Sequence, residues 1–274
     1  TRRVGEVLEP ILGVAPSPQT VSRVTRELDE EVSLFHARVL SDNYRYLILD
    51  GITLRIKGAA GVKKRLVLCA YGITLGGKRE MISFRQATSE SEAQWEAFLS
   101  DMYNRGLHGK QLRLAVTDGS SGLHDALDTV YPYVSRQRCW VHKLRNVSAK
   151  LPRREQEACL KGAKLIYQAR NRREAIIRFR EWSKYWRCSQ PRAVKCIEED
   201  LDELLNFLAC PEVHRRKVRT TNAIERAFRE VRRRTRPMSC FQNSASVDRI
   251  VYGVISHLNA SWKDKPLKKF THLP

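Results

Sequence analysis

The 274-residue sequence has no apolar run near the roughly 18–20 residues that cross a bilayer, and no apolar signal core follows its start, Thr1-Arg2-Arg3-Val4. A soluble protein of the cell interior is expected. Cysteine is scarce and unsuited to a disulfide framework: seven residues, an odd number at irregular spacings, fit a reducing compartment. With 14 glycines and 10 prolines the chain lacks the marks of low complexity, and its 42% hydrophobic content leaves material for a sizeable core. Acidic residues are also short, 30 against 50 Lys and Arg, for a net charge of +20 and a pI near 10. That balance excludes an acidic solvating protein and points to a polyanionic partner. The length fits one large domain with an insertion, or two ordinary domains.

The positive excess is local. Residues 1–100 carry 14 basic and 12 acidic side chains, whereas residues 101–274 carry 36 and 18. The peak lies between Arg215 and Arg236, where ten of 22 residues are Lys or Arg and only Glu225 and Glu230 oppose them. Cations this dense repel one another unless phosphates neutralise them, so nucleic acid is favoured over a merely solvated basic face.

Near the start, residues 6–13 form a short amphipathic piece, residues 14–18 a Gly/Pro-flanked turn, and residues 19–28 a second helix with apolar Val21, Val24 and Leu28. This outlines a helix-turn-helix in which Ser17, Gln19, Thr20, Ser22, Arg23 and Arg26 face DNA; a plain helical packing unit has the same outline. The absence of an initiator Met suggests that an N-terminal part precedes this element. From Tyr44 the pattern is that of strands. Tyr46 to Leu49 runs into Asp50-Gly51, then Ile52 to Lys57 alternates apolar and polar, and Arg65–Ile73 and Met81–Arg85 follow as a hairpin about Gly76-Gly77. A helix capped by Ser89 or Ser91 runs to about Gly106, Leu112–Thr117 is a buried strand ending in Asp118-Gly119, a helix carries Leu123, Ala126, Leu127 and Val130, and Arg136–Trp140 is a short fifth strand. Three strands, helix, strand, helix, strand is the order of a mixed α/β core of the ribonuclease H type. Residues 143–214 read as all-helical, Thr220-Thr221-Asn222 opens the basic helix, and Ser244–Trp262 is the last helix. The expected organisation is a helical remnant of a DNA-binding region over 1–40, the first part of the core over 41–142, an all-helical insertion over 143–214, and C-terminal core helices over 215–274.

Asp50 and Asp118 each end an apolar strand before a glycine, so both carboxylates are expected at a sheet edge, converging if their strands are neighbours. Adjacent carboxylates repel unless cations bridge them, and hard oxygen ligands suit Mg²⁺ or Mn²⁺. Glu225 is the candidate third acid: on a helix from Asn222, Ile224, Phe228 and Val231 form the core stripe, with Glu225, Arg229 and Arg232 beside it. The same residues also fit an ordinary turn and a helix-capping box, and on spacing alone both readings stand.

Four ordered segments resemble the Mutator-type transposases of bacterial insertion sequences. They are Tyr46-Leu47-Ile48-Leu49-Asp50-Gly51-Ile52, Val116-Thr117-Asp118-Gly119, residues 137–146 (QRCWVHKLRN) and residues 219–234 (RTTNAIERAFREVRRR). The resemblance covers nearly the whole chain. It implies a DDE triad of Asp50, Asp118 and Glu225 serving as catalytic residues and metal ligands, DNA cleavage at element ends followed by strand transfer, and action as a homodimer or higher oligomer on terminal inverted repeats and target DNA, in the nucleoid-associated cytoplasm. Cys139 and His142 match the family's Cys-x-x-His pair. No second pair of zinc-ligand spacing accompanies them, so a structural or DNA-positioning role is expected rather than a zinc site. The expected DNA-facing residues are Arg136, Arg138, Cys139, His142, Lys143, Arg145, Arg219, Asn222, Arg226, Arg229, Arg232, Arg233, Arg234 and Arg236. Two rival readings remain, a ribonuclease H-like nuclease that only hydrolyses and a DNA-binding protein that has lost catalysis.

Overall fold

The computed structural model describes residues 16–59, 61–236 and 239–270. Its centre is a mixed five-stranded sheet. Strands β1 (Tyr44–Gly58), β2 (Gly61–Thr74) and β3 (Arg79–Ala87) pair antiparallel, while β4 (Leu114–Thr117) runs parallel to β1 and β5 (Ser135–Arg138) parallel to β4, giving the order β3-β2-β1-β4-β5. The strand, helix and turn succession read from the sequence is therefore present. One detail differs. Asp50-Gly51 does not end β1: the strand continues to Gly58 because β2 pairs with it throughout, with Asp50 opposite Cys69 and Gly51 opposite Leu68. Ladder hydrogen bonds from a long partner outweigh the turn preference of a lone Asp-Gly.

Strand alternation sorts β1 between two cores. Leu47 and Leu49 join Leu66, Leu68 and Ala70 under α2 (Glu92–Asn104) and α3 (Ser121–Val130), with Trp95, Phe98, Leu99, Met102, Leu123, Ala126 and Leu127 all buried. Tyr46, Ile48, Ile52, Leu54 and Ile56 face the opposite side, against α4 (Trp140–Ser148), α10 (Asn222–Thr235) and α11 (Ser244–Trp262). Each fully buried aliphatic or aromatic side chain contributes about 1.5–3 kcal/mol, so the two layers hold the sheet rigidly between them. Helix α11 is fixed at its start by a capping box between Asn243 and Ser246.

Between α4 and α10 lies the all-helical stretch expected from the sequence: α5 (Arg153–Tyr167), α6 (Arg172–Trp186), α7 (Pro191–Glu198), α8 (Leu201–Leu205), a 3₁₀ turn (Asn206–Ala209) and α9 (Glu212–Val218). Trp182 in this stretch and Trp140 on α4 are packing groups. Trp182 donates from Nε1 to the Cys159 carbonyl at 3.0 Å, and Trp140 to that of Leu204 at 2.7 Å.

The first helix of the expected helix-turn-helix, residues 6–13, lies outside the described residues. The second is one long helix, α1 (Pro18–Ala37), capped by Ser17, and it ends not at residue 28 but nine residues later. Val24 of the expected apolar stripe is exposed; the stripe that packs begins with Val32 and Phe35. The second half of α1 docks on α11 through Asp29 with Arg249 at 2.9 Å and Glu31 with the Tyr252 hydroxyl at 3.0 Å. Among the described residues no helix is long and apolar enough to cross a membrane.

Candidate active site

Register brings the two aspartates together. β1 pairs with β4 at Tyr46–Leu114, Leu47–Ala115 and Ile48–Val116, so two residues further on Asp50 stands opposite Asp118. There β4 stops, because Asp118 Oδ1 accepts the Ser120 N–H at 3.0 Å and Gly119 adopts φ +98°, the left-handed conformation that glycine takes without strain. A Cβ on Gly119 would also lie 2.0 Å from Arg138 Nε. Alternation puts Asp50 on the face of Ile48 and Ile52, and Asp118 on that of Leu114 and Val116, which is the face covered by α10.

The third carboxylate arrives on α10, whose Ile224, Ala227, Phe228 and Val231 are buried as the helical stripe requires. Both ends of this helix are tied to the sheet side. Ahead of it, Trp140 N–H donates to the Arg219 carbonyl at 3.1 Å. Beyond it, Phe241 exchanges backbone hydrogen bonds with Arg55 (2.8 Å) and Lys57 (2.7 Å) on the free edge of β1. Glu225 thus reaches the part of that edge left open between Ile48 and Arg55.

Asp118 and Glu225 both act on Asp50. Burial pushes the Asp50 carboxyl up to about 7; Asp118 and Glu225 push the same way, while the Gly51 N–H at 2.8 Å and His142 oppose them. Glu90, which the sequence did not single out, belongs to the same field: its titration is raised by burial and by Asp118, and its Oε1 comes within 3.0 Å of where a Cβ on Gly51 would sit. It lies in the link before α2, where no periodicity marks it. As the side chains stand, no three His, Cys, Asp or Glu among the described residues are gathered tightly enough to hold one ion. The donor set itself is three carboxylates with unbalanced negative charge, which suits a hard divalent cation and not a soft one.

Cys139 and His142 connect β5 and α4 to the start of α10. Cys139 caps α4, and its buried Sγ accepts the Thr221 N–H at 3.3 Å. The Thr221 hydroxyl lies 3.4 Å from that sulfur and 3.2 Å from Glu225 Oε1, and its one proton serves one of them at a time. His142 Nε2 is 3.5 Å from Glu225 Oε1. Hydrogen bonding to Cys139 raises His142 to about 8, with Asp50 and Glu225 adding to the rise and burial opposing it, although Nδ1 itself has no partner in good hydrogen-bond geometry. On the cysteine, burial is the largest influence and pushes the thiol up, but the hydrogen bonds from His142 and Thr221 together hold it below its ordinary value. Thr221 was legible in the sequence only as part of a helix start.

The basic residues fall into two groups. Arg136 pairs with Asp128 and, at 3.1 Å, with Glu203; Arg138 bonds Asp200 (2.6 Å) and the Gly119 carbonyl (2.8 Å); Lys143 is buried against Asp200 and the Cys196 carbonyl (3.0 Å). The cluster from Glu198 to Glu203, which reads in sequence as ordinary surface charge, therefore supplies their partners. Arg145 on α4 and Asn222, Arg226, Arg229, Arg232 and Arg236 on α10 or at its end are exposed; Arg233 and Arg234 share Glu230. Arg219 is half-buried over the Tyr167 ring at 4.5 Å.

Residues 1–265 match the family model described as "Transposase, Mutator family". The chain is 34% identical over 264 residues to the transposase for insertion sequence element ISRM5 of Rhizobium meliloti (strain 1021), covering 96% of this chain and 66% of that protein. It is 30% identical over 270 residues to the transposase for IS905 of Lactococcus lactis subsp. lactis (98% and 68%), and 34% over 265 residues to that for IS406 of Burkholderia multivorans (96% and 68%). The chain spans about two thirds of the length of these relatives. With a family match running from the first residue to beyond the last helix, this chain belongs to the Mutator family of transposases.

Proposed function

We propose that the chain is the catalytic part of a DNA transposase of the DDE type, built on a ribonuclease H-like core, which cuts at element ends and joins them to target DNA. The observation that carries the reading is the convergence on Asp50 of two carboxylates distant in sequence, Asp118 and Glu225, both of which raise its affinity for a proton. A carboxyl held near 7 by burial and like charge is one whose ionised form awaits a cation. Asp50, Asp118 and Glu225 would hold Mg²⁺ or Mn²⁺, which supplies positive charge to the scissile phosphate and makes the attacking hydroxyl more acidic.

The protein's own groups then have distinct tasks. His142 and Thr221 orient Glu225. Arg138 and Lys143, locked on Asp200, fix the end of β5 and hence the turn that carries Asp118. Arg145, Arg232 and Arg236, all exposed, neutralise phosphates of the duplex, so that DNA register is set by charge and helix position. Water and then a DNA 3′-OH serve as nucleophile in turn, and the same carboxylates nick first and join second. Two copies, each bringing one element end, complete the reaction.

The test is a nicking and strand-joining assay with the purified chain, Mn²⁺ or Mg²⁺, and duplexes bearing candidate element ends. Asp50→Ala should abolish both reactions and leave DNA affinity within about threefold, since no phosphate contact is removed. Equal cleavage by that variant would reject the triad.

A further inference from the structure

Behind α10, on the side away from Glu225, lies a cavity of about 1020 Å³ that none of the roles above uses. Its walls are α4, α9, the flank of α10 that carries Asn222, Arg226 and Glu230, the ends of α5 and α11, the β2–β3 hairpin and residues 267–270. Arg79, Arg216, Arg219, Arg226 and Arg229 all line it, against one carboxylate, Glu230, which is already paired with Arg233 at 2.9 Å and Arg234 at 2.8 Å. Arg216, Arg226 and Arg229 are exposed and have no carboxylate partner among the described residues.

Two of the cations are held on aromatic rings. The Arg219 guanidinium sits 4.5 Å from the centre of the half-buried Tyr167 ring, and that of Arg79 is 5.3 Å from that of Trp262. Arg219 gives one N–H to the Tyr167 carbonyl at 3.4 Å and keeps others for a phosphate, and the second face of a stacked guanidinium offers a platform to a base. Arginines left unpaired around a concave site would repel one another without an anionic occupant.

We propose that this cavity binds an unpaired stretch of DNA strand, its phosphates on Arg216, Arg226 and Arg229 and a base against the Arg219–Tyr167 or Arg79–Trp262 stack. A duplex is the wrong shape for it: the phosphates of duplex DNA stand on convex ridges and its bases are stacked inside, whereas an unpaired strand carries phosphate and ring face into a concavity together. The inference rests on the transposase reading for its DNA, and deepens it. Asn222 and Arg226 face the cavity while Glu225 points to the aspartates, so a strand leaving the cut has only to pass over one helix, about 10–12 Å across, to enter it.

The experiment measures binding of fluorescent oligothymidylate, a duplex of equal length and polyglutamate to the chain without divalent metal, over a salt series. Arg216→Ala/Arg226→Ala, both exposed positions, should weaken oligothymidylate about tenfold and flatten its salt dependence by about 1.4 in slope, roughly 0.7 for each lost phosphate contact, with much less change for the duplex. Photocrosslinking with a 4-thiothymidine oligonucleotide should mark the peptide holding Tyr167 or Trp262. Unchanged oligothymidylate affinity, an equal loss for duplex, or polyglutamate binding with the same dependence on the two arginines would each overturn the proposal. No cleavage is scored, so an inactive triad would leave these results as they are, and an empty cavity would leave the triad assignment intact.

Discussion

The two faces of the sheet invite comparison. On one, α2 and α3 cover Leu47, Leu49, Leu68 and Ala70 with an almost wholly apolar layer. On the other, the same alternation of β1 that buries Ile48 and Ile52 puts Asp50 between them, next to Asp118, Glu225 and His142. One strand therefore serves two layers at once, and the apolar face supplies the stiffness against which like charges are held on the polar one. Repulsion that would separate free carboxylates is resisted because moving Asp50 means moving a strand bonded to β2 along its whole length.

The sharpest way to break this contrast is Glu225→Gln, which keeps shape and the Thr221 contact but removes a charge. Cleavage should fall by about 10³-fold or more with DNA affinity nearly unchanged, measured as single-turnover nicking against anisotropy; a loss below tenfold would return Glu225 to a helix-start role. Next comes Gly119→Ala, which forces an L side chain to φ +98° and against Arg138, and should cost about 2–4 kcal/mol in urea unfolding. An alanine variant as stable as the parent would show that the turn after β4 is not what fixes Asp118.

The polar face should also answer to pH. Asp50 is raised from its ordinary value to about 7, so between roughly pH 4 and 7 the folded chain keeps a proton that the unfolded chain releases, and stability falls as pH rises through that window. Asp50→Asn should remove the share of the fall due to Asp50, leaving that of Glu90 and His142, and, without divalent ions, stabilise the chain at pH 8 by about 1–3 kcal/mol, while abolishing cleavage. Identical urea midpoints for variant and parent across pH 4–8 would mean that Asp50 is not under charge stress. The smallest effect belongs to the helical block. Arg187→Ala removes a pair with Glu198 and hydrogen bonds to Ser183 Oγ, and should move the chemical denaturation midpoint least of these variants.

Much of this was legible beforehand because it rests on local rules. Period-two runs marked the strands, and Ile224, Phe228 and Val231 marked the inner face of α10, so the face of Glu225 followed from spacing. Asp50 was correctly a β1 residue but not a terminal one, since whether an Asp-Gly pair turns depends on the partner strand, and pairing is a long-range property. The same holds for Arg138 and Lys143. A run of basic residues beside a Cys-x-x-His pair looks like a phosphate-facing strip until the fold brings Asp200, some sixty positions on, against two of them. Glu90 left no trace at all in the sequence, because it lies in an irregular link and owes its place to the packing of its neighbours.

The backbone stitching of Phe241 to Arg55 and Lys57 has a mechanical corollary. Helix α10 is a beam supported at both ends, by the Trp140–Arg219 bond at one and by this stitch at the other, and both supports lead back to the sheet that bears the aspartates. Under the proposed reaction, ion capture would then proceed by side-chain rotation and not by helix sliding, with the distance between the two backbones unchanged.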